Sequence, residues 1–460
     1  MVERFDAIVV GAGQAGPSLA ARLASEGMAV AIVERHHFGG TCVNTGCTPT
    51  KAMVASAHAA HMARRAADYG VEISGTVTID MAAVKDRKDK MVEKSRTGLE
   101  RWLGGLDKVS PIRGHVRFIG DRTLAVGDRH ITAPRIFLNV GGRAVVPDYP
   151  GVHEIEALTN STILDLDTVP RHLVVVGGGY VGLEFAQMFR RFGSAVTVIE
   201  RGDRLLKRED EDTSETVAAL LEAEGIELRL NADCVAFSQE TEGPTVKVDC
   251  TEGAPSVAGS HVLLAVGRRP NTDDLGLDVA GIVTDERDYI VTDDALETNV
   301  EGIWALGDCN GRGAFTHTAY NDYEIVAGNL IDGAGRAVTD RTQAYALYTD
   351  PPLGRAGMTV AEAKAAGRRV LIGKRPMTRV ARATEKGETT GFMKVIVDAD
   401  SERIIGGAVF GVGGDEAVHV LVDAIQSGAP YTALRDTMHI HPTVSELIPT
   451  ILGELEPVED

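Results

Sequence analysis

Residues 5–35 read FDAIVVGAGQAGPSLAARLASEGMAVAIVER, and this stretch decides the fold. A short apolar strand runs into Gly11-x-Gly13-x-x-Gly16, a helical pattern follows, and a second apolar strand ends at Glu34. Glycines at these spacings allow a tight turn and let the backbone approach a pyrophosphate at a helix N-terminus. An acid about 20 residues on is placed to take ribose hydroxyls. The same grammar recurs in residues 172–201, HLVVVGGGYVGLEFAQMFRRFGSAVTVIER, with Gly177, Gly179, Gly182 and a strand ending at Glu200. One G-x-G-x-x-G is a common turn. Two, each with strand, helix and terminal acid in place, predict two Rossmann-like dinucleotide-binding units in an α/β protein.

The rest of the chain fits around these units. A length of 460 residues exceeds what one core usually serves, so two to four domains are expected. With 51 glycines and only 5% aromatic residues, the apolar set is mainly Val, Ile, Leu and Ala, which suits parallel sheets flanked by helices. The net charge of −19, without a long basic run, argues against a nucleic-acid partner. No apolar run approaches the ~18 residues of a membrane span, and the first residues lead straight into a strand, so the expected location is the cytoplasm. From about residue 336 the pattern changes to strands around a turn at Asp398 to Ser401, GFMKVIVDADSERIIGGAVFG, followed by a helix from about Glu416. This predicts a third, α+β domain. The stretches MVEKSRTGLERWLGG and REDEDTSE read as solvated helix faces.

Chemistry concentrates in residues 39–51, GGTCVNTGCTPTK. Thr48 followed by Pro49 reads as a helix N-cap and its first residue, which puts Cys47 at a helix N-terminus. The helix dipole there favours a thiolate. Five residues of regular helix would rise ~7.5 Å, beyond the ~6.8 Å limit for Cα atoms in a disulfide, so the Cys42 to Cys47 loop must bend to bridge. Zinc needs further ligands at short spacing and none follow, so no metal site is expected. Two buried core thiols would not need a glycine-flanked loop opening a helix. The pair reads as a redox switch. Five cysteines cannot form a secreted disulfide framework, and Cys234, Cys250 and Cys309 lack partners at redox spacing and read as structural.

Taken with both glycine fingerprints, TNVEGIWALGD and the late HPTVSE, this motif resembles the FAD-containing pyridine nucleotide-disulfide oxidoreductases, the group of glutathione reductase, dihydrolipoyl dehydrogenase and mercuric reductase. The resemblance covers essentially the whole chain. It implies an FAD-binding domain in two parts, 1–142 and 268–335, an NAD(P)-binding domain at 143–267, and a dimerisation domain at 336–460. It implies that Gly11, Gly13, Gly16 and Glu34 bind the FAD adenosine half, that Gly40 and Thr41 also contact FAD, and that Gly307 and Asp308 hold its ribityl chain. Gly177, Gly179, Gly182, Glu200 and Arg201 would bind NAD(P)H, and Tyr180 would gate the nicotinamide pocket. Lys51 would lie near flavin N5, paired with Glu184. His441 and Glu446 would form an acid-base dyad reaching the second subunit's cysteines, with His439 secondary. In the implied cycle, hydride passes from nicotinamide to flavin, Cys47 faces the flavin, and Cys42 is the interchange thiol that attacks a disulfide or another small electrophile.

Departures from the named members leave the substrate open. The chain shares GTCVNTGC and YTDPPLGRAGMT with mercuric reductase, but no cysteine follows Cys309, and neither a terminal vicinal pair nor an N-terminal metal-binding domain is seen. TGCTPTK departs from the VGCIPSK usual in dihydrolipoyl dehydrogenase. Glu200 favours NADH by repelling a 2′-phosphate, while Arg201 and Lys207 stand where NADPH enzymes of this family place cations. Three further readings stay open: dithiol oxidation in the reverse direction, reduction of mercuric or other metal ions, and a flavin-binding sensor with a vestigial redox centre. The intact Cys42/Cys47 and His441/Glu446 pairs favour an enzyme.

Overall fold

The computed structural model describes residues 1–250 and 253–458. Its first sheet is parallel, with strand order Ile303–Ala305, Arg135–Leu138, Ala7–Val10, Val30–Glu34, Val109–Arg113. The strands show no hydrophobic alternation because both faces are covered. Ala7 and Val9 meet Leu19, Leu23, Ile325 and Val326 of helices Ala15–Ser25 and Thr316–Asp332. Ile8 and Val10 meet Phe118, Leu124 and Ile131 on the opposite face, from a four-stranded sheet.

The second sheet repeats this plan. Its parallel order is Ala157–Leu158, His261–Leu264, His172–Val176, Ala195–Ile199, Glu227–Arg229. Leu173 and Val175 pack with Leu183 and Val217 of helices Tyr180–Phe192 and Glu211–Ala223. Val174 and Val176 pack with Phe237 and Val246 of an antiparallel meander spanning Ala232–Glu240, Gly243–Cys250 and Ser256–Ala258. A two-stranded antiparallel ladder, Gly142–Ala144 against Arg268–Pro270, carries the chain from the first sheet to the second and back.

The third unit is a six-stranded sheet in the order Ala344–Leu347, Leu353–Gly357, Arg403–Phe410, Phe392–Asp398, Val370–Pro376, Glu456–Pro457. Every named pairing in it is antiparallel. Phe392–Asp398 is buried at all seven positions. Met393, Val395 and Val397 face Leu421 and Ile448 of helices His419–Ser427 and Leu447–Leu452. On the other face Ile396 packs with Ala363, and Lys394 pairs with Asp210 and Asp212. Those two acids correct one sequence reading. REDEDTSE is not a solvated face: Glu209 is 3% exposed, and the segment docks the second unit on the third sheet. Charge pattern alone cannot reveal that the partners lie about 180 residues away. By contrast, MVEKSRTGLERWLGG lies largely in helix Met81–Gly104, whose side chains are mostly outward, as expected.

Candidate active site

The two glycine turns form matching cradles. A Cβ on Gly16 would lie 2.2 Å from the Gly11 carbonyl oxygen, and one on Gly182 the same distance from that of Gly177. Gly11 and Gly177 have φ of +102° and +112°, in the region that favours glycine. Gly179 faces open space, and a Cβ on Gly13 would meet Asn139, nearest at its side-chain nitrogen, 3.3 Å away. The terminal acids also match. Glu34 accepts from the backbone N–H of Ala12 at 3.0 Å and of His36 at 2.8 Å. Glu200 accepts from Gly178 at 2.7 Å and Gly202 at 2.8 Å. Close backbone packing with a fixed carboxylate at the end of the adjacent strand suits a dinucleotide in each cradle. Arg201 and Lys207 are exposed beside the second one.

The cysteine loop sits on the first cradle. A Cβ on Gly40, whose φ is +59°, would lie 2.7 Å from the Gly13 Cα. A short helix, Gly40–Asn44, carries exposed Thr41 and half-buried Cys42. The chain breaks at Thr45–Gly46, and a new helix runs from Cys47 to Arg64. The bend expected from the disulfide limit is present. The helix start differs: it lies at Cys47 after Gly46, with no side-chain cap, so Thr48 and Pro49 fall inside the first turn. Proline there still forfeits no intrahelical bond.

Both cysteines are thiols in this structure, and they hydrogen-bond each other. Cys47 is lowered from the ordinary 9.0 to about 6, chiefly by the hydrogen bond from Cys42, with help from Thr316 and the Lys51 charge, against the burial penalty. Cys42 is pushed far upward by the same bond and by burial. The helix start, Thr316 and Lys51 thus favour the thiolate on Cys47 over Cys42. Thr316 Oγ1 lies 3.3 Å from Cys47 Sγ.

One helical turn beyond Cys47, Lys51 Nζ is 2.7 Å from Glu184 Oε2 and 4.3 Å from the centre of the Tyr348 ring. The other Glu184 oxygen accepts from the Tyr348 N–H at 2.9 Å. Tyr180, one turn before Glu184, packs edge-on against Tyr345 and Phe315. Gly307 donates to Asp322 at 2.8 Å, fixing the turn that presents Asp308, whose carboxyl is raised by burial despite Arg268 at 3.8 Å. The chain therefore gathers Cys42, Cys47, Lys51, Glu184 and Tyr180, and adds Thr316, Phe315, Tyr345 and Tyr348, which sequence reasoning missed. Thr316 is 269 positions from Cys47, and no spacing rule could have joined them.

The dyad stands apart. His441 Nδ1 is 3.0 Å from both Glu446 oxygens, and the imidazole is 74% exposed. Among the described residues, Glu446 is its hydrogen-bond partner, and no hydrogen bond or ion pair joins the dyad to the cysteine cluster. Neighbouring Met438 and Ile440 project outward at 95% and 79% exposure. His439 instead contacts the Ser445 carbonyl at 3.0 Å. Cys234 and Cys309 are buried, as structural thiols would be, and Cys250 is half-buried. The described residues contain no metal-binding group of three or more His, Cys, Asp or Glu, and no helix long and apolar enough to cross a membrane.

Two dinucleotide cradles converging on a thiol pair with a thiolate favoured at Cys47 define a nicotinamide- and flavin-dependent disulfide oxidoreductase. The chain belongs to the pyridine nucleotide-disulphide oxidoreductase family: residues 5–322 match that family's model, and residues 343–451 match its dimerisation domain. It is an FAD-dependent enzyme that uses NAD(P)H and forms a homodimer. It is 34% identical over 453 residues to the probable pyridine nucleotide-disulfide oxidoreductase RclA of Escherichia coli K12, covering 97% of this chain and 98% of that protein. It is 31% identical over 444 residues to a mercuric reductase of Staphylococcus aureus, covering 96% and 81%. A solved Cu(II) complex of the HOCl-induced flavoprotein disulfide reductase RclA from E. coli superposes with a TM-score of 0.89 at 32% identity, covering 98% of this chain and 100% of that one.

Proposed function

We propose that this enzyme reduces a small disulfide with NADH, with Cys47 as the flavin-side sulfur and Cys42 as the interchange thiol. The observation that carries the assignment is the placement of Cys47 at the first residue of helix Cys47–Arg64, with Thr316 Oγ1 3.3 Å from its sulfur and Lys51 one turn on, all of which favour a thiolate there. When bound, FAD supplies the two-electron relay between nicotinamide and the Cys42–Cys47 disulfide. Glu34, the Gly11 to Gly16 turn, Gly40, Thr41, Gly307 and Asp308 would hold it. Lys51, held in an ion pair with Glu184, sets a cation one turn from Cys47.

Cys42 does not ionise unaided near neutral pH, so it needs a base. His441, oriented by Glu446 and exposed beside two outward apolar side chains, takes that proton across the dimer interface. The Cys42 thiolate attacks the substrate disulfide and forms a mixed disulfide. His441 returns its proton to the departing thiolate. The Cys47 thiolate then attacks the Cys42 sulfur, which re-forms Cys42–Cys47 and releases the second substrate thiolate.

Glu200 supports NADH, because its bonding repeats that of Glu34 and leaves a negative charge where a 2′-phosphate would lie. The partition into 1–142 with 268–335, 143–267 and 336–460, and a cytoplasmic location where thiols stay reduced, complete this reading. A second acceptor, Cu(II), is suggested by the Cu(II) complex of RclA: two Cu(II) would take the two electrons released as the dithiol becomes the Cys42–Cys47 disulfide, giving two Cu(I). Steady-state assays of the purified enzyme with low-molecular-weight disulfides and Cu(II), under NADH and NADPH in parallel, test the proposal. The expected outcome is disulfide turnover with NADH preferred at least about tenfold, lost in Cys42→Ser. Turnover that survives Cys42→Ser would overturn it.

A further inference from the structure

The carboxylate of Glu209 has no role in the chemistry above, yet it is buried, 3% exposed, within a segment whose charge would suit solvent. Its Oε1 accepts from the Tyr180 hydroxyl at 2.7 Å and from the Tyr345 hydroxyl at 2.6 Å. Its Oε2 lies 3.4 Å from Arg355 Nε, and both of these side chains are almost fully buried. Arg355 is fixed to the third sheet by donating to the Gly407 and Ala356 carbonyls, at 2.6 and 3.1 Å, while its buried Nη2 has no hydrogen-bond partner among the described residues. The guanidinium contact is therefore loose, and the two tyrosine hydroxyls make the short bonds to the carboxylate.

The post that carries this carboxylate does not move on its own. Asp210 accepts from the Val360 N–H at 3.0 Å and from Lys394 at 2.7 Å. Asp212 accepts from Lys394 at 2.8 Å and Lys374 at 2.6 Å. A buried carboxylate must be paired, so a staple between the second unit and the third sheet would explain Arg355. It would not explain why the shorter bonds go to Tyr180 and Tyr345. Tyr345 stacks on Phe315 and Tyr180 meets both rings edge-on, and the residue after Phe315, Thr316, touches Cys47. Tyr180 also shares a helix face with Glu184, the partner of Lys51.

We infer that Glu209 is a positioning residue that fixes the Tyr180 ring at the nicotinamide end of the site, so that the C-terminal unit sets the orientation of the gate. The inference rests on reading Tyr180 as the side chain over the nicotinamide. The ring cannot swing without giving up a hydrogen bond to an ionised group, whose loss is worth about tenfold or more.

The test uses the holoenzyme and four variants: Tyr180→Phe, Glu209→Gln, the two combined, and Tyr180→Ala. Tyr180→Phe and Glu209→Gln should each change the KM for NADH about tenfold in the same direction, and the double variant should go no further than either alone. The KM for the disulfide should stay within about twofold, which a general loss of domain docking would not allow. Effects that multiply in the double variant overturn the inference. If Tyr180→Ala changes the NADH KM and Tyr180→Phe does not, the gate stands but its anchor is refuted, a result that holds even if Glu209→Gln does not fold. If Tyr180→Ala also leaves that KM unchanged, the gate reading fails and the inference with it.

Discussion

The thiol pair permits a sharp test by comparing Cys42→Ala with Cys42→Ser. Neither variant can form the Cys42–Cys47 disulfide, so in both Cys47 stays a single sulfur facing oxidised flavin, and its thiolate should give a long-wavelength absorbance band. They differ in one hydrogen-bond donor. Cys47 is lowered to about 6, with the bond from residue 42 as the largest cause, ahead of Thr316 and Lys51. The thiolate is thus present above about 6 and is lost as pH falls through that value. Serine keeps a donor and should keep a midpoint near about 6. Alanine removes it. A hydrogen bond to a charged group is worth about 1.5–3 kcal/mol, and about 1.4 kcal/mol corresponds to one pH unit, so the alanine midpoint should lie roughly one to two pH units higher. The assay is band intensity against pH under air-free conditions. Coincident midpoints, or a serine midpoint near the ordinary thiol value, would refute the hydrogen bond as the source of the thiolate.

Gly16→Ala places a Cβ 2.2 Å from the Gly11 carbonyl oxygen, a backbone atom that cannot step aside, so the purified variant should show a much lower flavin absorbance per protein than wild type. His441→Ala should leave flavin reduction by NADH nearly intact while disulfide turnover falls ~10²–10⁴-fold, measured by stopped flow and steady state side by side. Mixed with Cys42→Ser subunits, it should regain activity in verified heterodimers, since one site then lacks both defects; no recovery would place the dyad in its own subunit. Burial alone would raise Asp350, but the hydrogen bond to His58 and the Arg191 charge together drive it well below the ordinary 3.8. Its contribution is therefore complete above that value and fades as pH falls below it. Asp350→Asn should cost about 2 kcal/mol of stability at pH 7, and the difference should shrink in strong acid, as read by denaturant unfolding.

What the sequence disclosed depended on how local each signal was. The βαβ units around Gly11 and Gly177 are contiguous, so the spacing of glycine, apolar strand and terminal acid carried them whole. The Cys42/Cys47 and Lys51 positions follow from one helix start, and only its first residue shifted, from Pro49 to Cys47, because Gly46 breaks the chain two residues earlier than a Thr48 cap would. Glu446 lies five residues from His441, close enough for motif order to pair them. Thr316 and Tyr348 reach the site from separate elements; Tyr348 opens the stretch YTDPPLGRAGMT, but that stretch carries no spacing to Lys51 or Glu184 that would place its ring beside them. Glu209 was misread for a related reason. An acidic run looks solvated until Arg355 and Lys394 are brought against it by a sheet formed much later in the chain.

The central claim is that electrons pass through the Cys42–Cys47 pair, and an air-free reductive titration tests it most directly. With FAD and a redox disulfide in each subunit, the wild-type enzyme should take up four electrons per flavin, with the long-wavelength band greatest after the first two. Cys47→Ser should take up two and show no band. A wild-type enzyme that accepts only two electrons per flavin, with no band at any stage, would contradict the account.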